Sequence, residues 1–168
     1  DADAEFSKVV KSDMIVAEDG SLKEYDGKFV TAYEKEFKEN GRAHVFVCEI
    51  DGKTKYVVPV YGAGLWGAIW GYVALDEDKN TIFGTYFSHA SETPGLGAEI
   101  ALPHFQSLFV GKHVMEGESV ALSVVKNGKV ANPEFEVDGI SGGTITSNGV
   151  DAMLKNCMGQ YTKFLTTK

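Results

Sequence analysis

The sequence predicts an α+β fold, in which antiparallel β-hairpins pack with a few helices and the last helix is C-terminal and amphipathic. Three observations carry this reading. Asp51-Gly52 and Asn127-Gly128 each sit between Val-rich or Phe-rich runs of strand length, as hairpin turns do. Val150, Met153, Leu154, Cys157, Met158, Tyr161, Phe164 and Leu165 repeat at helical spacing. Apolar residues make up 43% of the 168 residues, enough for a core, and no repeat or low-complexity linker divides them. A single domain over residues 1–168 is therefore expected.

The elements follow in order. In the mixed, charged N-terminal region, Phe29, Tyr33 and Phe37 recur every four residues and predict a short helix, stopped at Asn40-Gly41. His44 to Ile50 and Thr54 to Val60 predict a hairpin around Asp51-Gly52. The Gly-rich stretch Gly62 to Gly71 reads as a connection. Tyr72 to Leu75 and Thr81 to Phe87 predict a second hairpin around the polar loop Asp76 to Asn80. Ser91 to Gly97 is a Pro/Gly loop, and residues 103–110 suit a short helix with Pro103 in its first turn. Val120 to Val125 and the residues from Val130 predict a third hairpin around Asn127-Gly128. Ser147 or Asn148 is expected to cap the C-terminal helix.

Composition narrows the function classes. A formal net charge of -8 argues against a nucleic-acid partner and against electrostatic docking on anionic lipid. No stretch approaches the roughly 20 consecutive apolar residues that span a bilayer, and no signal peptide is visible. The chain begins at Asp1 rather than Met, so an N-terminal membrane anchor is expected upstream. Cys48 and Cys157 lie far apart in apolar contexts and read as buried free thiols. His44, His89, His104 and His113 have no metal-ligand spacing, and Asp76-Glu77-Asp78 reads as a solvated hairpin tip. Gly62 to Gly67 has Gly-x-Gly-x-x-Gly spacing after a predicted strand but leads into another strand rather than opening a helix, so it is no dinucleotide fingerprint and NADH chemistry is expected on a different polypeptide.

The most unusual segment runs from Asp138 through Gly139, Ile140, Ser141, Gly142, Gly143, Thr144, Ile145 and Thr146 to Ser147, directly before the amphipathic helix. Its glycines admit close backbone approach, and its hydroxyls donate hydrogen bonds. A helix N-terminus behind it offers N–H groups and a positive dipole end to an anion. The same features describe an ordinary capping loop, and the segment lacks the Gly-Lys-Ser/Thr ending of a Walker loop.

Asp138 to Thr144 resembles the flavinylation motif of the FMN-binding domain family. In that family a flavin transferase joins the FMN phosphate to the last Thr of the motif. The resemblance implies covalent FMN on Thr144, with Thr146 as the second candidate acceptor. Gly143 stands where the family usually has Ala. Two further segments match. Gly62 to Gly67, with Leu65-Trp66, and His89 to Gly97, with Glu92-Thr93-Pro94-Gly95-Leu96-Gly97, are similar to those of one branch of the family. That branch comes from the Na+-translocating NADH:quinone oxidoreductases. The branch from the related Rnf electron-transport complex is the alternative, as is a noncovalent ligand-binding module of the same fold.

The resemblance implies an electron-relay component of an ion-translocating oxidoreductase, partnered by the other polypeptides of that complex. It also implies a place on the periplasmic face of the inner membrane. For the isoalloxazine ring, Leu65, Trp66 and Leu96 are the expected walls. The backbone of Glu92, Thr93, Gly95 and Gly97 is the expected set of polar partners for the ring edge. Ser141, Gly142, Gly143, Ile145 and Thr146 complete the expected phosphate end. Taken alone, Trp66 also reads as a core aromatic, Glu92 as a surface acid or a helix-entry residue, and Trp70 as core.

Overall fold

The computed structural model describes residues 10–25 and 43–167. The helix expected around Phe29, Tyr33 and Phe37 lies outside these residues.

Six strands form one antiparallel sheet. They are β1 (Val10–Val16), β2 (Leu22–Glu24), β3 (His44–Ile50), β4 (Lys53–Ala63), β5 (Ala68–Leu75) and β6 (Ile82–His89), in spatial order β2-β1-β3-β4-β5-β6. The first predicted hairpin is present. Asp51 and Gly52 both have positive φ, 51° and 76°, as a two-residue type I′ turn requires. The second is present too, but its strands are longer than predicted. Gly62 and Gly71 belong to β4 and β5 rather than to a connection, and only residues 64–67 turn. Gly71 is needed for close packing within the sheet, since a Cβ there would stand 1.9 Å from the Tyr86 carbonyl oxygen.

A single 3₁₀ turn (Gly97–Ala101), helix α1 (Pro103–Gln106) and a second 3₁₀ turn (Ser107–Phe109) follow β6. Pro103 occupies the start of α1, as expected. Phe105 and Phe109 pack on Phe87 of β6 with ring centroids 6.1 and 5.3 Å away. This buried aromatic cluster fixes the segment that descends from the Pro/Gly loop. Asn80 ties the next stretch to the β5–β6 connection: its Oδ1 accepts the Val114 and Met115 N–H groups at 3.1 and 2.7 Å.

The third predicted hairpin is not formed. β7 (Met115–Glu116) and β8 (Ser119–Val120) pair with each other, whereas β9 (Ser123–Val125) pairs with β10 (Glu136–Asp138) in parallel. Asn127-Gly128 does turn the chain, with Gly128 at φ 80°. A second turn then reverses it again, held by the Glu136 carboxylate, which accepts the Ala131 and Asn132 N–H groups at 2.7 and 3.0 Å. Two reversals leave β10 parallel to β9.

The C-terminal helical pattern resolves into α2 (Thr144–Gly159) and α3 (Thr162–Thr166). Every residue of the predicted apolar face is buried, from Val150 to Leu165. Tyr161 sits at the break between the two helices. Its hydroxyl donates to the His44 carbonyl at 2.6 Å, and burial pushes its pKa well above the usual range. α2 begins three residues earlier than its expected cap. Gly143 is the N-cap residue and supplies no side chain, while Ser147 lies inside the first turn and accepts the Ile140 N–H at 2.8 Å. Cys48 and Cys157 are buried free thiols, and burial raises both pKa values. Trp70 is half-buried.

Candidate functional site

The flavinylation-like segment is braced from below. The Gly139 N–H donates to the Val125 carbonyl at 2.7 Å, and the Asp138 carboxylate accepts the Gly128 N–H at 3.0 Å. Asn127 donates through its side-chain amide to the Gly139 carbonyl at 3.0 Å. Asp138 and the Asn127-Gly128 turn thus hold the strand that delivers Gly142, Gly143 and Thr144 to the start of α2. Gly142 has φ 77° and turns the chain into the helix.

Three segments remote in sequence meet there. A cleft of about 390 Å³ is lined by Leu65 and Trp66 from the β4–β5 turn and by Thr93, Leu96 and Gly97 from the Pro/Gly loop. Gly142, Gly143, Thr144, Ile145 and Thr146 complete it. This volume lies within the roughly 300–1,000 Å³ of small-molecule sites. Four apolar side chains surround it and stay exposed: Leu65 at 46%, Trp66 at 65%, Leu96 at 44% and Ile145 at 57%. Such a gathering marks a binding surface rather than scattered surface apolar residues. Trp66 is therefore no core aromatic. Ser141 and Gly95 face a neighbouring cleft of about 450 Å³ instead, together with Asp138 and His104.

The two candidate acceptor threonines differ sharply. Thr144 is exposed at the first position of α2. Thr146 is 2% exposed, and its hydroxyl donates to Glu92 Oε1 at 2.5 Å. No side chain caps α2, so its positive end is left to solvent or to a bound anion.

Glu92 is no surface acid. It is 4% exposed, and its two carboxylate oxygens also accept the Leu65 and Trp66 N–H groups, each at 2.8 Å. Burial raises its pKa, but donation from Thr146, Trp66 and Leu65 more than offsets this and leaves it below 4.5. A depressed carboxylate pKa contributes stability that is present above the unfolded value and lost as pH falls through the folded one. The stability difference between wild type and Glu92→Gln, measured by denaturant unfolding, is therefore expected to hold level near neutral pH. It is expected to shrink below pH 4.5, the ordinary glutamate value. A difference independent of pH down to that of full protonation would refute this assignment.

Sequence reading placed Glu92 near the site but missed the use of its carboxylate. Its position between two remote glycine-containing segments was the available signal. Among the described residues, no group of three or more His, Cys, Asp or Glu side chains could hold a metal ion, and no helix is long and apolar enough to cross a membrane.

Fold and cleft define an α+β domain with an apolar-walled cleft at a helix N-terminus that no side chain caps. The profile of the FMN-binding domain family matches residues 64–159, which span all three cleft segments and α2. The chain belongs to the FMN-binding domain family. Its relatives include the C-type subunits of Na(+)-translocating NADH-quinone reductases. The chain is 41% identical over 111 residues to that of Haemophilus ducreyi, covering 66% of this chain and 43% of that protein. It is 45% identical over 101 residues to that of Vibrio anguillarum, covering 60% and 40%. The chain thus spans about two fifths of the length of these relatives. The crystal structure of the corresponding protein from Parabacteroides distasonis superposes with a TM-score of 0.89 at 44% identity, covering 99% of this chain and 83% of that one. That of NqrC from Shewanella oneidensis superposes with 0.76 at 28% identity, covering 98% and 88%.

Proposed function

We propose that this chain is the flavin-bearing electron-relay domain of a Na+-translocating NADH:quinone oxidoreductase, with FMN joined to Thr144 through a phosphoester. The observation that carries this reading is the meeting of an exposed threonine, an uncapped helix N-terminus and an exposed apolar wall in one cleft.

The residues fit the cofactor. Thr144 offers the exposed hydroxyl, and the first turn of α2 offers N–H groups and a positive dipole end to the phosphate. Trp66, Leu65 and Leu96 offer apolar faces to the ring, and Ile145 extends them beside the attachment point. Thr93 and Gly97 complete the cleft wall, where the Thr93 carbonyl already accepts the Leu96 and Ala98 N–H groups. When bound, the flavin supplies the electron-transfer chemistry. The protein's part is to fix one end of it, shield part of its surface from water and set the polarity around it.

Partners and location follow from the same proposal. A flavin transferase attaches the FMN, and the domain then works beside the other polypeptides of the complex on the periplasmic face of the inner membrane. The quinone-reductase names of the relatives and the high TM-score to one of their crystal structures support this choice over the Rnf branch.

The experiment is Trp66→Ala in protein loaded with flavin by co-expression with a flavin transferase. Wild type is expected to show quenched flavin fluorescence, and Trp66→Ala to recover part of it. The reduction potential is expected to shift as the apolar wall is lost. Fluorescence and potential both unchanged would place the ring elsewhere, without touching Thr144 as the attachment point.

A further inference from the structure

We propose that Glu92 is a positioning residue for the flavin cleft, its buried carboxylate clamping the Leu65-Trp66 turn to the first turn of α2 so that Trp66 is held in the cleft that Thr144 also lines. The role of the clamp in flavin binding rests on the ring site proposed above. The clamp itself is a property of the protein without cofactor.

The carboxylate joins two elements remote in sequence. Oε1 accepts from the Leu65 N–H at 2.8 Å and from the Thr146 hydroxyl at 2.5 Å, while Oε2 accepts from the Trp66 N–H at 2.8 Å. The Glu92 N–H donates to His89 Nδ1 at 3.1 Å, which anchors the residue to the end of β6. Among the described residues no Lys or Arg forms an ion pair with it. A buried charge met only by N–H and O–H groups is costly unless every donor is well aimed.

The surroundings are cut to fit. A Cβ on Gly64 would stand 2.3 Å from Glu92 Oε1, and a Cβ on Gly97 would stand 2.3 Å from Thr146 Oγ1. Glycine at both positions leaves room for the carboxylate and its hydroxyl donor. The clamped turn carries exposed apolar side chains, which gain little from burial and so do not fix the turn themselves. Besides the clamp, the turn is closed by the Gly64 N–H on the Gly67 carbonyl at 2.8 Å and held by Ser91 Oγ on the Trp66 carbonyl at 3.2 Å.

Glu92→Gln preserves size but replaces one acceptor oxygen by an NH₂ group. The amide then faces either the Trp66 N–H or the Leu65 and Thr146 donors with a donor of its own, and one side of the clamp opens. Gly64→Ala is the second variant. It keeps the charge and displaces the carboxylate, a flexible side-chain end, and so it tests the clamp independently of any folding defect in Glu92→Gln.

The test is amide hydrogen exchange of Leu65 and Trp66 in cofactor-free protein, followed by flavin fluorescence and reduction potential in loaded protein. In either variant, exchange of at least one of the two amides is expected to rise about tenfold or more, with the β4 core amides unchanged. Loaded protein is expected to move toward the fluorescence and potential of Trp66→Ala. Wild-type exchange at both amides in both variants would overturn the clamp. Released amides with wild-type fluorescence and potential, while Trp66→Ala alters both, would overturn its positioning role. If Trp66→Ala itself changes nothing, the ring site falls, and the exchange result alone decides the clamp.

Discussion

Thr144→Ala is expected to remove all covalently bound flavin and to leave the fold intact. The side chain is exposed at the first position of α2, where a substitution away from any packed or capped feature shifts stability by no more than about 0.5 kcal/mol. Alanine is also the better helix former. Without the hydroxyl there is no oxygen to carry the phosphoester, so the effect on attachment is complete rather than graded. Intact mass of protein co-expressed with a flavin transferase reads it directly: wild type gains one FMN and Thr144→Ala gains none. Thr146→Val is the informative contrast. Its hydroxyl is buried and spent on Glu92, so its loss is expected to cost about 1–3 kcal/mol while FMN remains on Thr144. Flavin mapped to Thr146 in wild type or in Thr144→Ala would overturn the assignment.

The sequence made the local elements readable and the remote ones obscure. Asp51-Gly52 announces its hairpin because both residues tolerate positive φ, which depends on nothing far away. The apolar face of α2 and α3 is equally local, being written in spacing alone. β1 was hidden because it owes its place to pairing with β3 across a long stretch of chain, and β2 because it depends in turn on β1. Asn127-Gly128 misled for the opposite reason. Its turn is real, but the Glu136 carboxylate enforces a second reversal that no dipeptide signals. The candidate site divides in the same way. Its three segments stand out by composition, yet only the folded chain brings Trp66, Leu96 and Thr144 to one cleft. The difference between Thr144 and Thr146 follows from which one faces Glu92.

A covalent tether suits this geometry. The apolar walls of the cleft are half exposed. Binding energy drawn from such walls alone is modest, because much of the ring's surface would stay in contact with water. A phosphoester on Thr144 would fix the cofactor irrespective of ring affinity. The walls are then free to adjust its electronic environment instead of retaining it. In the proposed periplasmic location, a dissociated flavin would have no local source of replacement.

Gly149→Ala is expected to destabilise the protein by about 1–3 kcal/mol, opposite in sign to the expectation from helix propensity. Glycine in a helix interior costs roughly 0.8–1 kcal/mol relative to alanine, so an unconstrained Gly149 would favour the substitution. α2 cannot accept it. A Cβ at Gly149 would stand 2.3 Å from the Ala63 carbonyl oxygen, 3.2 Å from its carbon and 3.3 Å from Gly64 Cα. These are backbone atoms at the end of β4, and they cannot swing aside as a side chain would. Relief requires the helix to lift from the strand at the point where the Leu65-Trp66 turn begins. The same movement would separate Thr144, about one and a half turns earlier in the helix, from Trp66. Two readouts are therefore expected to change together. Denaturant unfolding should give a lower midpoint, and flavin fluorescence of the loaded protein should rise toward that of Trp66→Ala. Covalent attachment should persist, because Thr144 stays exposed. A Gly149→Ala protein as stable as wild type, or more stable, would show that α2 does not need this close approach to hold the cleft.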